Sequence, residues 1–218
     1  MKKNYIFLAF FMLFGIITSN AQTDTLSLDA MLEETPAPKM QLLPDRMQPT
    51  QYLLWGKKGL MRITGISPLD EKHRTVELKI RRSMLITHQV VGYATLAGMI
   101  AQGIVGGILY KRIKDNSDYG LKPLHKNIGK AVNIAYFTDA SLSFFSPPPL
   151  ISNRTVGLNS IKIHKGLAYL HLSAMIATNV FSYQIRNSAS SYDYKPIHRA
   201  SAYTAFGAFA AAMIVMKF

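Results

Sequence analysis

The chain contains no cysteine among its 218 residues. That absence excludes disulfide bonds, iron–sulfur clusters held by thiolates, a covalently attached c-type haem and a lipid-modified N-terminal cysteine. Acidic residues are scarce: 12 Asp and Glu stand against 25 Lys and Arg, which gives a net charge of +13. Because the basic residues cluster at the ends of apolar runs, this charge indicates a membrane topology rather than a nucleic-acid-binding surface. The sequence also lacks a phosphate-binding glycine loop, a dinucleotide fingerprint and a nucleophile elbow.

Residues 1–21 have the pattern of a secretory signal peptide. Lys2 and Lys3 supply the positive charge, Tyr5 to Ile17 form an apolar run, and small residues precede a cleavage site after Ala21. An uncleaved anchor helix is the alternative, and both interpretations place the following residues outside the cytoplasm. Residues 22–82 are polar and then amphipathic. We expect them to form an exported segment whose Trp55 lies at the level of the lipid headgroups.

Four apolar segments follow, and they predict the fold class. They are Met84–Tyr110, Ile128–Phe145, Leu167–Tyr183 and Ala200–Met216. A helix needs about 20 residues, and no fewer than about 17, to cross the hydrocarbon of a bilayer. The sequence therefore predicts an all-α membrane protein, with a bundle of four transmembrane helices over residues 83–218. A soluble helical bundle is the alternative.

The loops predict the orientation of this bundle. The first loop carries five basic residues, Lys111, Arg112, Lys114, Lys122 and Lys126, and the second carries Arg154, Lys162 and Lys165. Positive residues favour the cytoplasm, so we expect the first loop inside a bacterial-type inner membrane and both termini outside the cytoplasm. Arg81 and Arg82 act weakly against this orientation. Pro147 to Pro149 end the second helix, and we expect their outer loop to shape a docking surface.

Each apolar segment begins with a histidine in the same local pattern. The histidines are His88, His125, His164 and His198, and the residue four positions later is always small: Gly92, Gly129, Ala168 and Ala202. A residue four positions later lies one turn further along the same helix face. Each helix can therefore present an imidazole beside a bare patch of backbone, against which a flat cofactor fits. A histidine that simply lies at the membrane interface is the alternative.

Antiparallel helices sort these histidines into two pairs. His88 and His164 begin at the outer face, whereas His125 and His198 begin at the cytoplasmic face. Two histidines at each end of one bundle predict two bis-imidazole sites, each able to hold a b-type haem. In this interpretation the four histidines bind the iron, and Gly92 and Gly129 lie against the porphyrins.

The pattern resembles the core of the cytochrome b561 family, over about residues 82–218. The resemblance rests on His88, His125, His164 and His198 in that order. It implies a four-helix core that carries two haems, with the first helix pairing with the third and the second with the fourth.

Further polar residues within the apolar segments need an explanation. His171 lies two turns after His164 on nearly the same face, so it is an alternative ligand. Asp139 is a candidate proton or donor site, and we expect it to pair with His171 near the outer haem; a water-filled mouth without a role is the alternative. Gln102 and Asn179 are expected to form hydrogen bonds between helices.

The sequence favours transmembrane electron transfer through two haems. A quinol or a cytoplasmic reductant is the candidate donor, and a periplasmic redox protein is the candidate acceptor. We expect membrane lipid around the bundle and no nucleic-acid partner, and a homodimer is one possible assembly. One alternative function is a non-haem protein whose histidines bind transition metal ions. The other is a structural membrane subunit without a cofactor.

Overall fold

The computed structural model describes residues 41–114, 120–150, 159–187 and 191–217. Within these ranges the chain is all-helical and contains no strand, which confirms the predicted all-α class. Six helices follow one another: α1 Pro49–Trp55, α2 Leu60–Ile63, α3 Glu71–Lys114, α4 Leu121–Phe144, α5 Ser160–Asn187 and α6 Ser191–Val215. The predicted signal peptide and residues 22–40 lie outside the described residues.

Helix α3 joins the charged stretch before the first apolar segment to that segment without a break. Asp70 precedes the helix and accepts a hydrogen bond of 2.8 Å from the main-chain nitrogen of His73, which caps the first turn. The 44 residues of α3 extend over roughly 66 Å, about twice the thickness of a hydrocarbon core. Among the described helices, α3 is the one that is long and apolar enough to cross a membrane. The domain boundary expected at residue 82 falls inside it, and residues 41–218 form one compact unit.

The four long helices pack as two hairpins. Helix α3 packs along α4, α5 packs along α6, and α3 also contacts α6. Helix α4 meets α5 through side chains: Asn179 Nδ2 donates to Asn133 Oδ1 at 2.7 Å, as expected of an interhelical Asn179. The buried core between the helices consists of Met99, Val132, Tyr136, Ala174, Met175, Ala205 and Phe209. These contacts give the ring order α3, α4, α5, α6, so α3 lies diagonally opposite α5, and α4 opposite α6.

Helix α1 covers the end of α4, where the carbonyl groups of a last turn have no partner within the helix. Thr50 Oγ1 donates to Phe144 O at 2.6 Å, and Trp55 Nε1 donates to Phe145 O at 3.0 Å. Trp55 is only 8% exposed. The prediction that it lies at the lipid headgroups is therefore wrong, because its indole nitrogen is used to close the end of α4.

The loop after α4 is held by two arginines of α3. Arg74 Nη2 donates to Pro148 O at 3.1 Å, and Arg81 Nη1 donates to Pro147 O at 2.7 Å. Both prolines are fully buried. The expectation that Pro147 and Pro148 form an exposed docking surface is wrong, since α1 and the start of α3 cover them.

Beneath this cover lies a buried ion cluster. The Glu77 carboxylate contacts the guanidinium groups of both Arg62 and Arg74, and Ser67 Oγ donates to it as well. Removing one partner from a buried ion pair leaves an uncompensated charge and costs about 3–5 kcal/mol. We name residues 49–81 together with the loop 145–149 the cap, since this cluster and the hydrogen bonds above join them.

Candidate functional site

His88 lies on the half of α3 that is nearer the cap, and it contacts α4. Its Nδ1 is 3.0 Å from the main-chain oxygen of Asp139. A carbonyl oxygen only accepts, so the ring proton lies on Nδ1, and Nε2 keeps a lone pair. The carboxylate Oδ1 of Asp139 is also 2.9 Å from Nδ1, but it has no aligned hydrogen bond. A Cβ at Gly92 would lie 3.6 Å from Asp139 Oδ2, so the small residue predicted beside His88 borders this carboxylate.

His164 and His198 repeat this arrangement in the second hairpin. His164 Nδ1 lies 2.9 Å from the main-chain oxygen of Ala212 on α6. His198 Nδ1 lies 3.0 Å from the main-chain oxygen of Thr178 on α5. Both rings are half-buried, and both carry the proton on Nδ1 for the same reason as His88. Three of the four predicted ligands therefore present an unprotonated Nε2.

The three acceptors occupy one register. In each case the accepting residue lies 14 positions after the other predicted histidine of the same hairpin. Asp139, which accepts from His88, lies 14 positions after His125. Ala212 and Thr178, which accept from His164 and His198, lie 14 positions after His198 and His164 respectively. This spacing arises when each of two antiparallel helices carries its histidine at the same distance from the end of the hairpin at which that helix begins. The two hairpins are thus structural repeats, in keeping with the weak internal repeat of the sequence.

His125 and His198 come together across the bundle at the end away from the cap. Their ring centroids are 6.4 Å apart, and the ring planes make an angle of 81°. An imidazole nitrogen binds a metal ion at about 2 Å, so two rings on opposite sides of one ion have centroids about 6 Å apart. The diagonal helices α4 and α6 therefore bring these two histidine rings close together.

His125 itself differs from the other three. Its Nε2 lies 3.3 Å from Nε2 of Gln102 on α3, which confirms Gln102 as an interhelical hydrogen-bonding group. A Cβ at Gly106 would lie 2.8 Å from Cε1 of His125, and a Cβ at Gly129 would lie 2.9 Å from the Gln102 amide. Gly129 thus makes room for Gln102 in this structure, and its contact with a porphyrin stays a prediction.

His171 lies on α5, two turns after His164. The Tyr136 hydroxyl is 2.6 Å from Nδ1 of His171, and the centroid of the Phe209 ring is 5.1 Å from the centroid of the His171 ring. The expected pair between Asp139 and His171 is not formed, because Asp139 faces His88 and Tyr136 takes His171. Nothing in the sequence singles out Tyr136, since tyrosine is common within apolar segments.

No protein-family model, curated protein or solved structure matches this chain. Among the residues that the structure describes, no group of three or more His, Asp or Glu side chains converges on one point. Structural and catalytic zinc sites take three or four protein ligands, whereas haem with two axial histidines takes two. The arrangement of the histidines in pairs therefore bears most directly on function.

Proposed function

We propose that this protein carries electrons across a membrane through two b-type haems, each held by two histidines. His88 and His164 hold the haem near the cap, which we name the outer haem. His125 and His198 hold the other, which we name the inner haem. The proposed core is similar to that of the cytochrome b561 family.

This proposal rests on the hydrogen bond from Nδ1 to a main-chain oxygen that His88, His164 and His198 share. A histidine that binds a metal ion usually donates its second N–H to a carbonyl or carboxylate oxygen, which fixes both the ring orientation and the tautomer. All three rings make this bond, and their Nε2 atoms remain able to coordinate. A histidine placed at a membrane interface for its polarity alone would have no reason to repeat one acceptor register.

The diagonal arrangement of helices supports the same assignment. Opposite helices supply His125 and His198, and the ring order makes α3 and α5, which carry His88 and His164, the other diagonal pair. Each diagonal pair of histidines would hold one haem. A haem held by two histidines would supply one-electron chemistry and leave no open site for oxygen.

For the outer haem, the hydrogen bonds favour His164 over His171. His164 donates from Nδ1 to Ala212 O and keeps its Nε2 lone pair. Nδ1 of His171 is taken by the Tyr136 hydroxyl. A phenol is the stronger donor of the two, so the His171 ring proton lies on Nε2, which then has no lone pair for iron. We assign His171 to packing between the two hairpins.

The exterior of the four helices supports a location in a membrane. Large apolar side chains remain exposed on all four helices, among them Val90, Ile104, Ile134, Ile176 and Ile214. In this proposal four helices cross an inner membrane, the cap and the C-terminus face the outside, and lipid covers these side chains. The candidate electron donor is a quinol or a cytoplasmic reductant, and the candidate acceptor is a redox protein outside the cytoplasm.

The test is a spectral and redox titration of the purified protein and its histidine variants. We expect b-type absorption bands and close to two haems per chain. His88→Ala and His164→Ala should remove one and the same redox component, and His125→Ala and His198→Ala should remove the other. His171→Ala should keep both haems, since its nitrogen is used by Tyr136.

His73→Ala is the matched control, because His73 pairs with the exposed Asp70 in the cap and should leave both components unchanged. A folded but colourless protein from cells with ample haem would contradict the proposal. Loss of the same component in His88→Ala and His125→Ala would contradict the pairing.

A further inference from the structure

The inner ligand His125 lacks the contact that the other three histidines share. Its Nδ1 is buried and has no hydrogen-bond partner in the described part of the chain. Its Nε2 faces the amide nitrogen of Gln102. An amide nitrogen only donates, so Nε2 accepts and the ring proton lies on Nδ1. A buried N–H without an acceptor is destabilising, because it has lost its hydrogen bond to water.

Gln102 carries the complementary unused group. Its side-chain oxygen Oε1 is buried and likewise has no partner among the residues described. The unpaired donor and the unpaired acceptor therefore belong to two side chains that already touch. Gly129 leaves space for the Gln102 amide, since a Cβ there would lie 2.9 Å from Gln102 Nε2.

The repeat of the two hairpins points to the same residue. In the other three cases a main-chain oxygen accepts from Nδ1, and it belongs to the residue 14 positions after the other histidine of the same hairpin. For His125 the other histidine of the hairpin is His88, and the residue 14 positions after His88 is Gln102. Gln102 thus occupies the acceptor position of the fourth histidine, and it is the one residue of the four with an amide side chain there.

We propose that Gln102 is the positioning residue of the inner haem, with its side-chain oxygen accepting the Nδ1–H of His125 when iron occupies Nε2. This inference rests on the proposed function. Nε2 of His125 would hold the iron, so the Gln102 side chain would turn away from Nε2 and bring Oε1 to the Nδ1–H. Both unpaired atoms would then have a partner. An acceptor on Nδ1 makes the imidazole a stronger electron donor to iron, so Gln102 lowers the reduction potential of the inner haem.

Redox titration of Gln102→Leu and Gln102→Glu tests this role. Leucine removes the acceptor, so the potential of the inner haem should rise, and haem affinity at that site should fall about 10–100-fold. Glutamate is isosteric and adds negative charge to the acceptor, so the potential should fall. The outer haem should keep its potential in both variants. The inner haem is recognised as the component that His198→Ala removes.

Asn179→Leu is the matched control, because it also removes a half-buried interhelical amide, whose hydrogen bonds go to Asn133 and Met175 rather than to a histidine. It should leave both potentials unchanged. Shifts of the same sign in the two Gln102 variants, or no shift, would overturn the role of Gln102 while the two haems stand. Absence of haem from the wild-type protein would instead overturn the proposed function. If Gln102→Leu does not fold, Gln102→Glu decides alone, and a potential that does not fall overturns the inference.

Discussion

The predicted ligands differ in what holds each ring. Main-chain oxygens hold His88, His164 and His198, and a side-chain substitution at the acceptor does not remove a carbonyl group. His125 instead contacts the Gln102 side chain, and its ring fits because Gly106 has no side chain. Sequence reasoning therefore found the histidines and the small residues near them, but it missed Gly106, which no histidine-based alignment singles out.

Gly106→Ala should disturb the inner haem. A new Cβ would lie 2.8 Å from Cε1 of His125 and 3.2 Å from its Nδ1, so the ring has to move. Overpacking of this kind costs about 1–3 kcal/mol, and we expect loss or a shifted potential of the component that depends on His125. Redox titration and haem content measure both effects.

Gly103→Ala is the control for that substitution on the same helix. No atom lies within 4 Å of a Cβ at Gly103, so both haems should keep their potentials. Alanine should stabilise the protein slightly, by about 0.4–1 kcal/mol, because it reduces the conformational freedom of the unfolded chain. Equal behaviour of the two variants would show that the space at Gly106 does not position His125.

At the scale of elements, the cap is the least expected part of the structure. Its residues read as an amphipathic segment followed by a short charged helix, and the structure joins that charged helix to α3. The reason is that the charges have partners far along the chain. Arg74 and Arg81 reach the loop after α4, and no local pattern reports contacts across more than 60 residues.

The cap should open in acid through Glu77, which lies seven residues before the apolar part of α3. Burial acts to raise the pKa of Glu77, but hydrogen bonds from Arg62, Ser67 and Arg74 outweigh it and lower the pKa below 4.5. Because the folded state has the lower pKa, the stabilisation is complete above the unfolded pKa and is lost as the pH falls through the folded pKa. Trp55 is the one tryptophan of the chain, so its emission should shift to the red below pH 4.5.

In Glu77→Gln the charge is absent at every pH, so Trp55 should be exposed already at neutral pH, and the acid transition should vanish. Glu71→Gln is the control, because Glu71 is exposed in the first turn of α3 and should leave the transition unchanged. An acid transition that persists in Glu77→Gln would mean that another group closes the cap.

For the whole molecule, the two ends of the bundle differ. The cap lies beside His88, and the Lys217 ammonium lies 5.9 Å from the centroid of the Tyr93 ring, five residues after His88. The end of α6 is thus near the cap, as an even number of long helices requires. The start of α4 lies at the opposite end, where the sequence concentrates its basic loop.

Because the chain has no cysteine, single cysteines can report the topology. Leu53→Cys in the cap and Met216→Cys at the C-terminus, at residues 64% and 49% exposed, should react with an impermeant maleimide in intact cells. Lys122→Cys at the start of α4 should react only after the membrane is permeabilised. Labelling of Lys122→Cys in intact cells, with protection of the other two, would reverse the proposed orientation.

The sequence by itself determined the helical class, the four histidines and their order, because apolar runs and residue spacing are local properties of a chain. It also indicated the polar contacts of Gln102 and Asn179, since a buried amide in an apolar helix needs a partner. Only the tertiary structure decided which atoms those histidines offer. The tautomers depend on carbonyl oxygens 20 to 51 residues away, and the pairing of Tyr136 with His171 depends on how two hairpins meet. The cap was decided in the same way, because burial makes Trp55 the partner of the Phe145 carbonyl at the end of α4 and makes Arg74 and Arg81 the partners of carbonyls in the loop that follows.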